Sequence, residues 1–185
     1  SLSENLTTAG ATVITADSNG NGVGDFSINS SRTLSTGNNS LTLTANDITV
    51  SGSIISGTGS TTIVVSDGGT VGLGGTSGNM SITGAELANI TAGTLNLGNS
   101  STGNITVDGI SAANSNNANT LNLATASASS VNFSSNASTF NALGVSSGNG
   151  ITQSVNITTS SSAILDADSN DDGSGDFSNT AGTFS

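Results

Sequence analysis

The sequence predicts an all-β chain, a parallel β-helix or β-solenoid built of short rungs and running as one continuous segment through residues 1–185. Three observations predict it. Short runs of alternating apolar and polar residues recur from end to end, turn-forming residues separate them, and large aromatic side chains are nearly missing. The apolar fraction, 32%, comes almost wholly from Ala, Val, Ile and Leu, with five Phe, one Met and no Trp or Tyr. Such side chains fill a thin core in layers rather than a thick globular one.

The alternating runs are "LTLTA" from Leu41, "ITVSG" from Ile48, "TTIVVS" from Thr61, "NMSIT" from Asn79 and "TLNLG" from Thr94. They continue with "NITVDG" from Asn104, "TLNLAT" from Thr120, "SVNFSS" from Ser130 and "SVNITT" from Ser154. An apolar side chain at every second position is the period of a half-buried strand. Between the runs lie "STGNN", "SGTGS", "SDGG", "GTSGN" and "SSGNG", all turn chemistry. No stretch sustains a helical period; "GAELANITAG", Gly84 to Gly93, offers little more than one turn. Abundant Thr, Val and Ile, with no Pro and no Lys, oppose disorder. A sandwich or barrel needs hairpin turns and commonly buries aromatics, whereas a solenoid needs small residues at its corners and stacked aliphatics inside. Asp67-Gly68 and Asp108-Gly109 suit a hairpin turn or a corner equally.

A longer period overlies the runs. A shift that brings Asp17 onto Asp168 pairs Asn5-Leu6-Thr7-Thr8 with Asn156-Ile157-Thr158-Thr159, and Val13-Ile14 with Ile164-Leu165. It also pairs Gly24-Asp25-Phe26-Ser27 with Gly175-Asp176-Phe177-Ser178, with no gap between Ser1 and Ser27. Residues 1–151 therefore read as one long unit and 152–185 as the opening of the next. The organisation predicts either a stretch of a larger tandem array or a subunit that associates head to tail.

The stretch from Thr70 to Asn116 resembles the β-strand repeats of very large secreted bacterial proteins similar to filamentous haemagglutinin. The pieces that carry the resemblance are Gly84-Ala85-Glu86-Leu87, Asn89-Ile90-Thr91-Ala92 and Gly103-Asn104-Ile105-Thr106-Val107. The resemblance implies a right-handed parallel β-helix exported to the cell surface, serving as an adhesin or a filament. The N-terminal secretion domain of such proteins is not in this sequence, so the export route is implied alone.

Charge and missing residue types narrow the function. Twelve acids stand against Arg32 alone, giving a net charge of −11. A chain with one cation has no phosphate-binding patch, which excludes nucleic acid as a partner. Anionic membrane surfaces repel it, and no apolar run is long enough to insert into a bilayer. Without His, Cys, Lys or Tyr the usual nucleophile and base pairs are missing, so no enzyme activity is expected.

The acids gather instead in two related loops, "ADSNGNGVGDFS" and "ADSNDDGSGDFS". Asp17, Asn19, Asn21 and Asp25 fall at loop positions 1, 3, 5 and 9, and Gly22 at position 6. In the second copy these are Asp168, Asn170, Asp172 and Asp176, with Gly173. Alternating side-chain oxygens followed by Gly let a short loop curl around a hard cation, and the carbonyl of Val23 or Ser174 at position 7 adds an oxygen. Calcium is the expected ion. The closing Glu of an EF-hand is missing, since Ile28 and Asn179 stand at position 12. The spacing resembles the Asp/Asn-rich calcium loops of thrombospondin type 3 repeats, without their cysteines. Asp, Asn and Gly are also ordinary turn residues, but Asp166, Asp168, Asp171, Asp172 and Asp176 together repel one another without a cation. The second loop is thus the stronger candidate.

The expected role is that of a structural β-solenoid segment of a repetitive extracellular or cell-surface bacterial protein. Rung stacking would make a stiff rod, with calcium locking the loops. An adhesin module binding glycan or another cell surface is the alternative, weakened by the lack of Trp and Tyr platforms. Stacking of separate chains as functional amyloid is a third.

Overall fold

The computed structural model describes residues 1–185 and is mostly β, with 44% of residues in strands and 6% in helices. The strands follow the chain in recurring sets. The first is β1 (Leu6–Thr7), β2 (Thr12–Thr15) and β3 (Phe26–Ile28); the second is β4 (Thr33–Ser35), β5 (Leu41–Ala45) and β6 (Ile48–Val50). The third is β7 (Ser53–Ile55), β8 (Ser60–Val65) and β9 (Val71–Gly74), followed by an extra strand β10 (Met80–Ile82) and a short helix α1 (Gly84–Ala88). Next come β11 (Ile90–Gly98) and β12 (Ile105–Asp108), then α2 (Ala112–Ser115), β13 (Ala118–Ala124) and β14 (Val131–Phe133). The last two sets are β15 (Ser138–Phe140), β16 (Leu143–Ser146) and β17 (Ile151–Gln153), then β18 (Ile157–Thr159), β19 (Ala163–Asp166) and β20 (Phe177–Asn179).

Every strand pairing is parallel. Most strands pair with a counterpart in the adjoining set, from Ser138 beside Ile157 to Ile54 beside Ile90. β6 pairs only with β3 and β15 only with β18, and β10 lies beside β9 at a separation of nine residues, Val71 against Met80. A two-residue turn cannot join parallel neighbours, so the Asp-Gly pairs do not make hairpins. They make bends, with Asp67, Gly68 and Gly109 at φ values of 58°, 64° and 69°.

Parallel in-register pairing stacks like on like. Down one sheet, Ile14, Leu43, Ile63, Leu97, Leu123, Val145 and Leu165 form a ladder of aliphatic side chains. Its five middle members are buried, and each contributes about 1.5–3 kcal/mol by leaving water. The residues one position earlier form the outer ladder: Val13, Thr42, Thr62, Asn96, Asn122, Gly144 and Ile164. There Asn122 Nδ2 donates to Asn96 Oδ1 at 2.9 Å, and Asn96 Nδ2 donates to Thr62 Oγ1 at 3.2 Å. The second sheet contributes Val71, Ile105, Val131 and Ile151, with Phe177 at its end. Two of the few aromatics, Phe133 and Phe140, meet edge to face at 6.5 Å in this core.

Each short helix is held by a capping box. Thr83 Oγ1 accepts from Glu86 N while Glu86 Oε2 accepts from Thr83 N, and Ser111 and Asn114 repeat the exchange. Glu86 also accepts from Val50 N at 3.1 Å, and Asn89 Nδ2 donates to Val50 O at 2.8 Å. Asp47 and Asp108 likewise serve backbone amides, Ser81 N at 2.8 Å and Asn136 N at 3.0 Å. These acids are structural acceptors, which leaves the two loops as the remaining concentration of carboxylates.

The loops occupy equivalent places. The starts of β1, β2 and β3, at Leu6, Thr12 and Phe26, are each followed 151 residues later by the starts of β18, β19 and β20, at Ile157, Ala163 and Phe177. The bridge between Leu6 and Leu34 also has its counterpart, Ile157 beside Phe184.

Candidate functional site

Each loop leaves a strand of the first sheet: residues 16–25 lead from β2 to β3, which pairs with β6, and residues 167–176 lead from β19 to β20 at the end of the second sheet. Both take the same path, for the same local reasons. Asp17 accepts from Asn21 N through Oδ1 at 3.3 Å and from Gly22 N through Oδ2 at 3.0 Å. Asp168 does the same, from Asp172 N at 3.2 Å and Gly173 N at 3.0 Å. The residue at position 5 then accepts from the amide at position 7: Asn21 Oδ1 from Val23 N at 3.1 Å, and Asp172 Oδ1 from Ser174 N at 2.8 Å. Gly22 and Gly173 sit at φ 71° and 79°, which favours glycine at position 6. Position 4 also has positive φ, with Gly20 at 58° and Asp171 at 54°. At position 8 a Cβ would strike a backbone carbonyl, 2.5 Å from Ala16 O at Gly24 and 2.3 Å from Ala167 O at Gly175.

The surroundings differ. Asp17 is only 4% exposed, and Ser66, at the start of the turn after β8, donates its hydroxyl to Asp17 Oδ2 at 2.7 Å. That hydroxyl holds the Asp17 carboxyl below the ordinary carboxylate range; burial opposes it, and the amides of Asn21, Gly22 and Gly20 reinforce it. Asn46 Nδ2 donates to Asp25 Oδ1 at 3.1 Å, so the first loop is fastened along two adjoining sets. Asn19, Asn21 and Val23 are exposed.

In the second loop Asp168 is half-buried, and Asp172, Ser174 and Asp176 are exposed. Asn170 Nδ2 donates to Asp172 Oδ2 at 2.7 Å, drawing positions 3 and 5 together. Asn170 Oδ1 is shut off from solvent and has no hydrogen-bond partner. An oxygen in that condition costs roughly 1–3 kcal/mol, and it lies at the position from which a cation-binding loop directs its second ligand. By donor type the residues fit a hard cation: carboxylates from Asp168, Asp172 and Asp176, an amide oxygen from Asn170, and a carbonyl from Ser174. No three carboxylates are gathered into a ready-made metal cluster, since Asp168 and Asp172 are engaged with backbone amides.

Sequence reasoning did not single out Ser66 or Asn46, which fasten the first loop. Each follows a strand that pairs onward from β2, a relation that only the register discloses.

One shallow groove of about 400 Å³ lies on the outer face, where Gly144 interrupts the outer ladder between Asn122 and Ile164 and Asp166 borders it. A Cβ on Gly144 would sit 2.2 Å from Asn122 Oδ1, so the groove depends on that glycine. The lone cation, Arg32, pairs loosely with Glu4 at 3.6 Å.

No known protein family, curated protein or solved structure matches this chain.

Proposed function

We propose that the chain is a structural segment: a parallel, right-handed β-solenoid of a repetitive bacterial surface or filament protein, acting as a stiff extracellular rod. The observation that carries this reading is the unbroken inner ladder from Ile14 to Leu165, with parallel partners at every step. A chain that returns to the same sheet in the same direction at each set has to wind, and parallel crossovers are overwhelmingly right-handed. The paucity of residues able to transfer protons at neutral pH favours a mechanical role over a catalytic one. Electron microscopy with mass-per-length measurement tests it. A solenoid gives one thin chain per rung, whereas one chain per strand layer would mean amyloid and overturn the reading.

Calcium held by Asp168, Asn170, Asp172, Asp176 and the Ser174 carbonyl stiffens the second loop in this proposal. Its support is the partnerless Asn170 Oδ1 among acids that repel one another. The first loop has two acids and already satisfies Asp17 with the Ser66 hydroxyl, so its affinity is the lower of the two. Terbium luminescence or calorimetric titration decides the matter; saturable binding lost in Asp172→Asn is expected. Rods equally straight and equally heat-stable in chelator would remove calcium from the proposal.

The groove at Gly144 favours a second reading, an adhesin module whose outer face takes a glycan. Its Asn122 and Asp166 offer hydrogen-bond acceptors beside the apolar surface of Ile164. Saturable binding on a glycan array, abolished by Gly144→Val, would establish it.

A further inference from the structure

We infer that Asn21 is a spontaneous modification site: the Gly22 nitrogen displaces its side-chain amide, and water then leaves aspartate where the second loop carries Asp172. Asparagine followed by glycine is open to this reaction because glycine puts no side chain in the way of its own nitrogen. The chain holds three such pairs, Asn19-Gly20, Asn21-Gly22 and Asn149-Gly150, and the fold treats them differently. The second loop holds none, since Asp172 already stands before Gly173.

Water is the only reagent the reaction needs. Gly22 N attacks Asn21 Cγ, the Cγ–Nδ2 bond breaks, and ammonia departs with the proton that the Gly22 nitrogen gives up. Water then opens the cyclic imide. Breaking its bond to Cγ restores an ordinary backbone with aspartate at position 21, whereas breaking its bond to the main-chain carbonyl leaves isoaspartate. Val23 N donates to Asn21 Oδ1 at 3.1 Å, so a fixed donor meets the oxygen on which charge develops as the nitrogen adds. Gly22 N is held by the Asp17 carboxylate alone, at 3.0 Å. A Cβ at Gly22 would find nothing nearer than Asn46 Oδ1 at 3.8 Å, which leaves the loop room to close.

The other pairs lack these features. Gly150 is buried, its nitrogen donates to Ala167 O at 2.9 Å, and Asn149 N donates to Ser129 O at 2.9 Å, so that pair is locked between neighbouring sets. Asn19 is exposed, but its side-chain oxygen receives no backbone amide of the kind Val23 supplies. The exposure of Asn21 does not come from an uncovered end. The first loop has the following set beside it, the second loop has the preceding set beside it, and loop position 5 is exposed in both, as Asn21 and as Asp172. The loop also accepts the product. Asp172 Oδ1 accepts from Ser174 N at 2.8 Å just as Asn21 Oδ1 accepts from Val23 N. Asp172 N donates to Asp168 at 3.2 Å just as Asn21 N donates to Asp17 at 3.3 Å. Isoaspartate would instead lengthen the backbone before Gly22 and draw its nitrogen away from Asp17.

Mass spectrometry of the folded chain aged at mildly alkaline pH tests the inference. Cleavage after Arg32 puts Asn19 and Asn21 in one fragment and Asn149 in the other. Asn21 should gain the mass of an amide-to-acid exchange ahead of Asn19 and at least about tenfold faster than Asn149. In the chain unfolded by urea, where only the Asn-Gly sequence counts, the three should convert at similar rates. Val23→Pro, which removes the donor to Oδ1, should slow Asn21 and leave Asn149 unchanged. Equal rates at Asn21 and Asn149 in the folded chain, or Asn19 converting first, would overturn the inference. Conversion also gives the first loop the second loop's acids at positions 1, 5 and 9, a consequence that rests on the calcium reading above. Asn21→Asp combined with Asp172→Asn should therefore bind terbium about tenfold more tightly than Asp172→Asn alone. A mass gain at Asn21 without that tighter binding would uphold the modification and remove calcium from the first loop.

Discussion

The Ser66 hydroxyl donates to the Asp17 carboxylate at 2.7 Å, across 49 residues of sequence, and so fastens the first acidic loop to the set of strands two steps further on. The buried Asp17 is charged in this arrangement, with Ser66 the main cause of its lowered pKa.

A lowered folded-state pKa means that the Asp17 contribution is complete above the unfolded value, about 3.9, and is lost as pH falls through the folded value. Ser66→Ala removes the larger cause, so its acid-unfolding midpoint should lie at higher pH than that of the parent. Above pH 5 the same variant should melt at a lower temperature, with the smaller difference at the acid end, where Asp17 is protonated in both. Circular dichroism across an acid titration measures this; coincident acid midpoints would remove Ser66 from the account.

Asp171 lies in the left-handed region at φ 54°, where its counterpart in the first loop is Gly20. Nonglycine residues are penalised there by roughly 1–2 kcal/mol, offset in part by the greater freedom of glycine in the unfolded chain. Asp171→Gly should therefore stabilise the chain by several tenths to about 1 kcal/mol in a denaturant titration. Asp171 falls between the alternating ligand positions, so calcium binding should survive the substitution, unlike Asp172→Asn. Loss of binding in Asp171→Gly would show that the loop uses its acids as a diffuse cluster rather than in the alternating pattern.

Two glycines separate steric need from chain entropy. A Cβ at Gly24 would stand 2.5 Å from Ala16 O, whereas one at Gly10 meets nothing within 4 Å. Gly24→Ala should cost about 1–3 kcal/mol through forced backbone movement. Gly10→Ala should be neutral or stabilising by up to about 1 kcal/mol. Chemical denaturation of the two variants gives the comparison.

Neighbouring residues on one strand should respond very differently to the same change. Leu97 faces the inner ladder and is buried, so Leu97→Ala should cost about 2–5 kcal/mol. Asn96 faces outward and exchanges hydrogen bonds with Thr62 and Asn122, so Asn96→Ala should cost only about 0.5–1.5 kcal/mol. Equal losses would mean that the two faces are not divided as the ladders require.

Much of the strand content was legible because period-two alternation reports directly on a half-buried strand. "LTLTA", "ITVSG" and "TTIVVS" became β5, β6 and β8, and "TLNLG", "NITVDG" and "TLNLAT" fell within or around β11, β12 and β13. The one suspected helical turn at Gly84 became α1. Strands of two to four residues, among them β1, β4 and β7, were too short to display a period. The capped turn α2 is a single turn with no period of its own, marked in the sequence only by the capping pair Ser111 and Asn114. Asp67-Gly68 and Asp108-Gly109 suit a hairpin or a corner equally as sequence, and parallel pairing rules out the hairpin.

By itself the sequence determined that the chain would be β-rich, thin-cored and acidic, because composition and alternation are local properties that need no partner. It also placed the two loops at equivalent positions, since the repeat of Asp17 at Asp168 is written in residue order. Only the tertiary structure decided the direction of pairing and the register that sets Leu97 between Ile63 and Leu123. Only it separated the fates of the loops, giving Asp17 the Ser66 hydroxyl and leaving Asn170 Oδ1 enclosed without a partner. The reason is physical: a hydrogen bond between residues 49 positions apart depends on the lengths of every turn between them, and no local pattern encodes that sum.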